Sequence, residues 1–230
     1  MTSLAHDLSP GLSPDLSDAT LDEIRVALAP RIAANAAFDG WAAAARDLAA
    51  ESLGVDRDIA ALALPDAMAM IDAWFAAIDA AMLAALPPER LAAMKIRARI
   101  AALVEARIDQ VAPNRESLRR ALAILALPQH VARSTRLAWR TADTIWRAAG
   151  DTATDYNHYT KRTILLTVYA ATMTMLLDDD SEGQADTRAF LARRIDGIMR
   201  FEKAKAGFLR RAAHRPSLSR FVGRLRYPVV

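Results

Sequence analysis

The stretch that most constrains the fold runs from Asp151 to Leu177. Fifteen uncharged residues, Thr163 to Leu177, follow a polar segment that contains aromatic and basic side chains. A helix that is apolar on most sides must be buried along most of its length. The sequence therefore predicts a central helix whose first turns carry a polar recognition surface.

The composition favours a soluble, nearly all-helical protein. Hydrophobic residues make up 53% of the 230 residues, glycine is scarce, and no run of eighteen apolar residues predicts a membrane span. The chain has no cysteine, which excludes a disulfide framework and thiolate metal sites. Because the first seventeen residues lack a basic or strongly apolar leader, we expect a bacterial cytoplasmic protein.

The charge is distributed unevenly along the chain. Residues 1–90 hold 5 basic and 14 acidic side chains, a net charge of −9, whereas residues 91–230 hold 25 and 13, a net charge of +12. We therefore expect any anionic surface to be met by the C-terminal part.

Capping and helix-breaking residues divide the chain into helices. Residues 1–17 are expected to be a disordered lead-in, and Asp18 or Thr20 should cap the first helix, which Pro30 should kink or split. The predicted helices cover residues 21–38, 41–53, 57–64, 66–86, 88–111, 115–127, 128–149 and 151–177, and a ninth begins after residue 184.

The first three helices, within residues 18–65, have the proportions of a helix-turn-helix. Gly54 should end the second helix, and Asp56 should cap the third. A DNA-reading version needs basic residues to neutralise phosphates, but Arg57 lies here between two aspartates. The sequence therefore favours a degenerate, structural version, and we expect no DNA binding.

Several large side chains recur at helical spacing in the middle of the chain. They could line a ligand cavity or fill the core, and the pattern alone favours the core. The set is Met70, Trp74, Met82, Trp139, Ile145 and Trp146. The last two long helices have broad apolar stripes, which predicts a homodimer.

Residues 216–230 form a basic amphipathic tail. One side carries Leu218, Phe221, Val222 and Leu225, and the other carries Arg220 and Arg224. This pattern is typical of a helix that lies on an anionic membrane, which is the favoured interpretation, although the tail could also dock on the protein itself.

No catalytic or metal-binding motif is found. The chain has no phosphate loop, dinucleotide fingerprint or nucleophile elbow. The pair Asp155 and His158 supplies too few ligands for a di-iron bundle, and Asp155 is better interpreted as a helix cap. The acidic turn at residues 178–183 lacks the final glutamate of a calcium loop, because Ala189 stands there. We therefore predict no catalytic residues, no metal and no cofactor.

The region from Asp143 to Ile195 carries a specific motif. It contains Asp143, Trp146, Gly150, Asp151, Asp155, Asn157, Tyr159, Thr160, Lys161, Arg162, Tyr169, Asp179, Thr187, Phe190, Leu191, Arg194 and Ile195. With these residues the chain resembles the ubiquinone (coenzyme Q) biosynthesis accessory family, the ninth of the coenzyme Q series. The match is weaker over residues 38–41 and the Gly54 turn.

The resemblance implies an all-α, TetR-regulator-like bundle of about nine or ten helices. Its residues 66–210 would form the lipid-binding and dimerisation domain. Family members are non-catalytic, bind isoprenoid quinone intermediates or phospholipid, and present them to the hydroxylase that acts on demethoxyubiquinone.

The resemblance also implies a docking patch, which falls here on His158, Tyr159, Arg162 and Asp179. Mitochondrial members have tryptophan at the position of His158. The tail would hold the protein peripherally on the inner (cytoplasmic) membrane. Two rivals are a TetR-like transcriptional regulator with a ligand cavity, and a catalytic protein that uses Asp155 and His158.

Overall fold

The computed structural model describes residue 16, residues 18–151 and residues 156–198. All regular structure within these ranges is helical, which confirms the predicted all-α class. The helices are α1 (Leu21–Asp39), α2 (Ala43–Ser52), α3 (Arg57–Ala63), α4 (Ala67–Ala85), α5 (Pro88–Ala92), α6 (Ile96–Val111), α7 (Arg115–Leu125), α8 (Val131–Ala148), α9 (Tyr156–Leu177) and α10 (residues 185–198).

The N-terminal helix α1 starts at a capping box. The Thr20 hydroxyl accepts a hydrogen bond from the Glu23 amide, and the Glu23 carboxylate accepts one from the Thr20 amide. Pro30 was predicted to kink or split this helix, and the split is wrong, because α1 continues unbroken to Asp39. Pro30 has no amide hydrogen to donate to the Val26 carbonyl, and both residues lie on the exposed side of α1.

The turn between α2 and α3 is built as predicted. Gly54 has a φ of +67°, a conformation that favours glycine, and its amide donates to the Glu51 carbonyl. A carboxylate oxygen of Asp56 accepts hydrogen bonds from the amides of Asp58 and Ile59, and so caps α3. The N-terminal helices are fastened to the rest of the bundle by Trp41, whose indole nitrogen donates to the Ser117 carbonyl at 2.9 Å.

The predicted single helix over residues 88–111 is wrong. The helix is interrupted at residues 93–95, and Lys95, just before α6, has an extended ψ of 150°. Arg99 stabilises the break, since its guanidinium donates to the carbonyls of Ala92 and Met94. These carbonyls lose their helical partners at the break, and the arginine replaces them.

The core lies between α1, α4, α6, α7, α8 and α9. Helix α4 is long and apolar enough to cross a membrane by length and composition alone, with a mean hydropathy of 1.5 over its best window. It also carries Asp72 and Asp79, and its residues Ile71, Trp74 and Ile78 are buried inside the bundle. Core helices of soluble proteins pass the same test.

Candidate functional site

The first turns of α9 are fixed to α8 by a buried arginine. Arg162 is only 1% exposed, and its Nε donates to Asp143 at 2.7 Å while its Nη1 donates to Asp151 at 3.2 Å. The same Nη1 donates to the His158 carbonyl at 3.2 Å. We call Asp143, Asp151 and Arg162 the ionic latch. It connects the end of α8, the following loop and the start of α9.

Lysine and tryptophan reinforce this connection. The Lys161 ammonium lies 2.6 Å from Asp151 and 5.4 Å from the centre of the Trp146 ring. In turn, the Trp146 indole donates to the Lys161 carbonyl at 3.0 Å. Burial favours the neutral form of Asp143, but the guanidinium groups of Arg162 and Arg147 outweigh it and hold the pKa of that carboxyl below its usual value.

The predicted docking residues divide into surface and internal groups. Tyr159 is 61% exposed and His158 is half-buried, so both reach the surface at the start of α9. Arg162 and Asp179 are buried and make internal contacts. Arg162 lies beneath His158 and Tyr159, whereas Asp179 follows the other end of α9, about 30 Å along the helix, so the structure does not bring it together with the other three residues. Partner binding by this group stays a prediction.

An aromatic cluster forms around the two surface residues. The Trp139 ring, from α8, has its centre 6.2 Å from that of His158 and 5.9 Å from that of Tyr159. His158 and Tyr159 meet edge to face at 5.2 Å. We call Trp139, His158 and Tyr159 the aromatic surface. The sequence grouped Trp139 with possible lipid ligands, whereas the structure brings it to this surface.

Asp179 organises the turn between α9 and α10. Its carboxylate accepts hydrogen bonds from the amide and hydroxyl groups of both Ser181 and Thr187, at 2.5 to 2.9 Å. Burial alone would raise its pKa, but these four donors stabilise the charged form and hold the pKa well below the usual range. Arg115 donates to the Asp179 carbonyl and so ties the turn to α7.

Acid should weaken this turn specifically. A carboxyl whose pKa is lowered by folding contributes stability above its unfolded pKa, about 4, and that stability is lost as pH falls towards the folded value. We expect the Asp179→Asn variant to lose less free energy of unfolding than the wild type between pH 5 and pH 3. Asp178→Asn, at a neighbouring exposed carboxyl, serves as the control. Equal pH dependence of wild type and Asp179→Asn would contradict this role.

Of the predicted lipid-binding residues, Met70, Trp74, Met82 and Ile145 are buried in the core. Trp74 packs against Trp41 and Phe75, with ring centres 5.3 Å apart in both pairs. Only Trp146 of the predicted set lines a cleft with an entirely apolar surface and a volume of about 90 Å³. The cleft lies between α6, α8, α9 and α10.

The rest of the cleft was missed by sequence reasoning. Its lining residues are Ile96, Arg97, Ile100, Trp146, Ile164, Leu165, Val168, Ile195 and Ile198. An open groove of about 570 Å³ shares Ile164, Val168 and Ile198 with it and continues past Arg193 and Arg194. The apolar periodicity of α6 and α9 marked these residues as inward-facing, but periodicity does not distinguish a filled core from an open cleft.

A second buried ion pair lies deeper in the bundle. Arg107 is fully buried, pairs with Asp79, and donates from Nε to the Tyr169 hydroxyl at 3.1 Å. Burial raises the pKa of Asp79, although Arg107 and Arg140 act in the opposite direction. Arg107 Nη2 has no hydrogen-bond partner within the described residues. This group links α4, α6 and α9.

The helix-turn-helix-like part presents an acidic and apolar surface. Arg57, the basic residue of α3, is paired with Glu51 at 3.1 Å. Ile59 and Leu62 are exposed on the same helix. A DNA-reading helix would offer unpaired basic groups there. The absence of DNA binding stays a prediction.

The remaining predictions concern metal binding and the segments at Asp155 and the two chain ends. In the described ranges, no group of three or more histidine, aspartate or glutamate side chains is placed to hold a metal ion. Apart from Leu16, the predicted lead-in lies outside the described residues, as do the cap at Asp155 and the tail residues from Leu218 to Leu225.

The fold is that of a known class of helical proteins. The crystal structure of a TetR transcriptional regulator from Nitrosomonas europaea matches with a TM-score of 0.61 and 23% sequence identity, covering 76% of this chain and 97% of that one. At this identity the likeness concerns the fold alone. The protein therefore has the predicted TetR-regulator-like fold.

The residues around the ionic latch are similar in sequence to a known protein family. Residues 131–202 match the COQ9 family model. The rat protein named "Ubiquinone biosynthesis protein COQ9, mitochondrial" is 40% identical over 96 residues, and its human namesake is 38% identical, over 42% of this chain in each case. The Drosophila melanogaster namesake is 26% identical over 84% of this chain and 61% of its own length. These matches confirm the predicted resemblance.

The matches cover only part of this chain and part of its relatives. The aligned segment spans 31% of the rat protein and 30% of the human protein, about a third of each. The family model covers α8, the latch, α9 and the described part of α10. The strongest similarity therefore coincides with the helices that carry the aromatic surface and most of the cleft.

Proposed function

We propose that the protein is a non-catalytic, lipid-binding accessory protein of ubiquinone biosynthesis, which presents membrane quinone intermediates to a hydroxylase. The COQ9 relatives support the role in ubiquinone biosynthesis. The observation that carries the finer proposal is that the COQ9-like region builds an apolar cleft and an exposed aromatic surface on the same two helices.

The cleft supports the lipid part of the proposal. Its surface is wholly apolar, so it suits a hydrocarbon chain and offers no partner for buried polar groups. A volume of about 90 Å³ accommodates only a short section of such a chain, but the adjoining groove allows the chain to continue. Each buried methylene contributes about 0.8 kcal/mol to binding. Arg97, Arg193 and Arg194 surround these openings.

The proposal also includes a homodimer and attachment to a membrane. One face of α9 exposes small side chains, Thr163, Thr167, Ala170 and Thr174, against which a second copy of α9 can pack closely. We propose a homodimer through this face and α10. The basic tail, residues 216–230, is proposed to hold the protein peripherally on the cytoplasmic membrane surface.

The transcriptional alternative is less well supported. Its DNA-reading helix would be α3, whose arginine is already paired with a glutamate. The link between Trp41 and Ser117 also fastens the N-terminal helices to α7. Neither feature favours a mobile, basic DNA-binding unit.

Filling the cleft should remove bound lipid. Val168 lines both the cleft and the groove, so a Val168→Phe substitution places a ring in the space that a hydrocarbon chain would occupy. We expect the lipid that copurifies with the protein, measured by mass spectrometry of solvent extracts, to fall about tenfold, the equivalent of about 1.4 kcal/mol.

The matched control is Val26→Phe, since Val26 is 68% exposed on α1, away from the cleft. This variant should retain lipid like the wild type, and circular dichroism should show both variants folded. A wild-type protein that retains no isoprenoid or phospholipid from its host would contradict the lipid-binding proposal. Equal lipid in both variants would place the binding site elsewhere.

A further inference from the structure

We propose that Trp139 of α8 is a partner-binding residue, and that the aromatic surface takes an apolar protein surface edged by carboxylates. The inference rests on the proposed function, because the partner is taken to be the hydroxylase named there. It adds a residue from a second helix and states the chemistry of the partner.

Geometry separates Trp139 from the lipid site. Trp139 and Trp146 lie seven residues apart on α8, on the same side of the helix and about 10 Å apart along its axis. Trp146 lines the cleft and contacts Lys161, whereas Trp139 is absent from the cleft lining and contacts Tyr159. The two tryptophans therefore serve different surfaces.

The three rings form one continuous surface. Each ring centre lies within 6.2 Å of the other two. Tyr159 is mostly exposed, and Trp139 and His158 are each partly accessible. Tryptophan and tyrosine are the side chains that most often dominate binding at protein interfaces, because they bury a large area with few rotatable bonds. Trp139 is therefore placed to contact a partner that covers Tyr159.

The aromatic surface is held in position by contacts within the protein. The latch holds the first turns of α9 against α8, and Arg162 holds the His158 carbonyl directly. Binding to a preformed surface avoids the cost of ordering it, which raises affinity for a given contact area. This explains why the buried Arg162 belongs to the same sequence motif as the exposed Tyr159.

An exposed arginine near Trp139 indicates which charge the partner should carry at the edge of the interface. Arg136 lies one turn before Trp139 and is exposed, and it makes no ion pair with any residue in the described ranges. Its neighbours Arg133 and Arg140 are already paired with Asp66 and Asp72. Arg136 is therefore an exposed cation one helical turn from Trp139, and it fits a carboxylate on the partner.

The experiment measures binding to the hydroxylase that acts on demethoxyubiquinone, produced from the same genome, by titration calorimetry of the full-length proteins. We expect Trp139→Ala to weaken binding about 30-fold, a typical effect of losing an interface tryptophan. Arg136→Glu should weaken it about tenfold or more, since it places like charges together. Tyr159→Ala serves as the reference for the predicted docking patch.

The matched control is Phe38→Ala, which removes an aromatic side chain that is 86% exposed at the end of α1. This variant should bind like the wild type. Copurified lipid should be unchanged in Trp139→Ala, because Trp139 does not line the cleft. A Trp139→Ala variant that loses its lipid but keeps the hydroxylase would overturn the inference.

The outcomes separate the inference from the proposed function. If the wild type does not bind the hydroxylase, the partner in the proposed function is wrong, and the inference fails with it. If Tyr159→Ala is weakened and Trp139→Ala is not, the proposed function stands and the inference alone is overturned. If both bind like the wild type, the docking surface lies elsewhere on the molecule.

Discussion

An Arg162→Ala variant should lose about 3–5 kcal/mol of its free energy of unfolding, the usual cost of removing one member of a buried ion pair. The arginine is buried, and its removal takes away the cation that Asp143 and Asp151 share. Asp143 then keeps the exposed Arg147 as its partner, and Asp151 keeps Lys161. Chemical denaturation followed by circular dichroism would measure the loss.

The control for this prediction uses the same carboxylate. Arg147 lies 2.6 Å from Asp143 but is 72% exposed, so Arg147→Ala should cost less than about 1 kcal/mol. A similar loss in both variants would show that the latch acts only as a surface ion pair. Both arginines bind Asp143, but Arg162 is buried and also binds Asp151 and the His158 carbonyl, so the comparison measures the contribution of the whole buried network.

The second large effect is expected at the ion pair in the bundle interior. Asp79→Ala leaves the fully buried guanidinium of Arg107 without its carboxylate partner. We expect a loss of about 3–5 kcal/mol in the free energy of unfolding, measured in the same way.

Helix α4 provides the matched control for this change. Asp72 pairs with Arg140 at 2.6 Å near the surface, so Asp72→Ala should cost less than about 1 kcal/mol. Replacing both members of the interior pair, in Asp79→Leu with Arg107→Met, should recover most of the stability. If Asp79→Ala is no more costly than Asp72→Ala, the interior pair does not stabilise the fold.

The helical framework was largely predictable from local sequence signals. The Thr20 and Glu23 capping box, Gly54 and Asp56 each fix a helix end through contacts within a few residues. The break before α6 was not predictable in this way. No glycine or proline lies at residues 93–95, and the carbonyls there are satisfied by Arg99 from the next helix.

The candidate site was less predictable, because its contacts join distant segments. Asp79 and Arg107 are 28 residues apart, and no local pattern marks them as partners. Trp139 and Trp146 share one side of α8, so spacing alone could not assign them to different surfaces. The motif did locate the start of α9, but only the structure distinguishes the exposed Tyr159 from the buried Arg162 beneath it.

Helix α9 also sets the distance between the lipid cleft and the aromatic surface. Tyr159, on the aromatic surface, and Val168, in the cleft, are nine residues apart on this helix, which corresponds to about 14 Å. In the proposed function, transfer of a lipid to the bound enzyme would therefore follow less than three turns of a single helix.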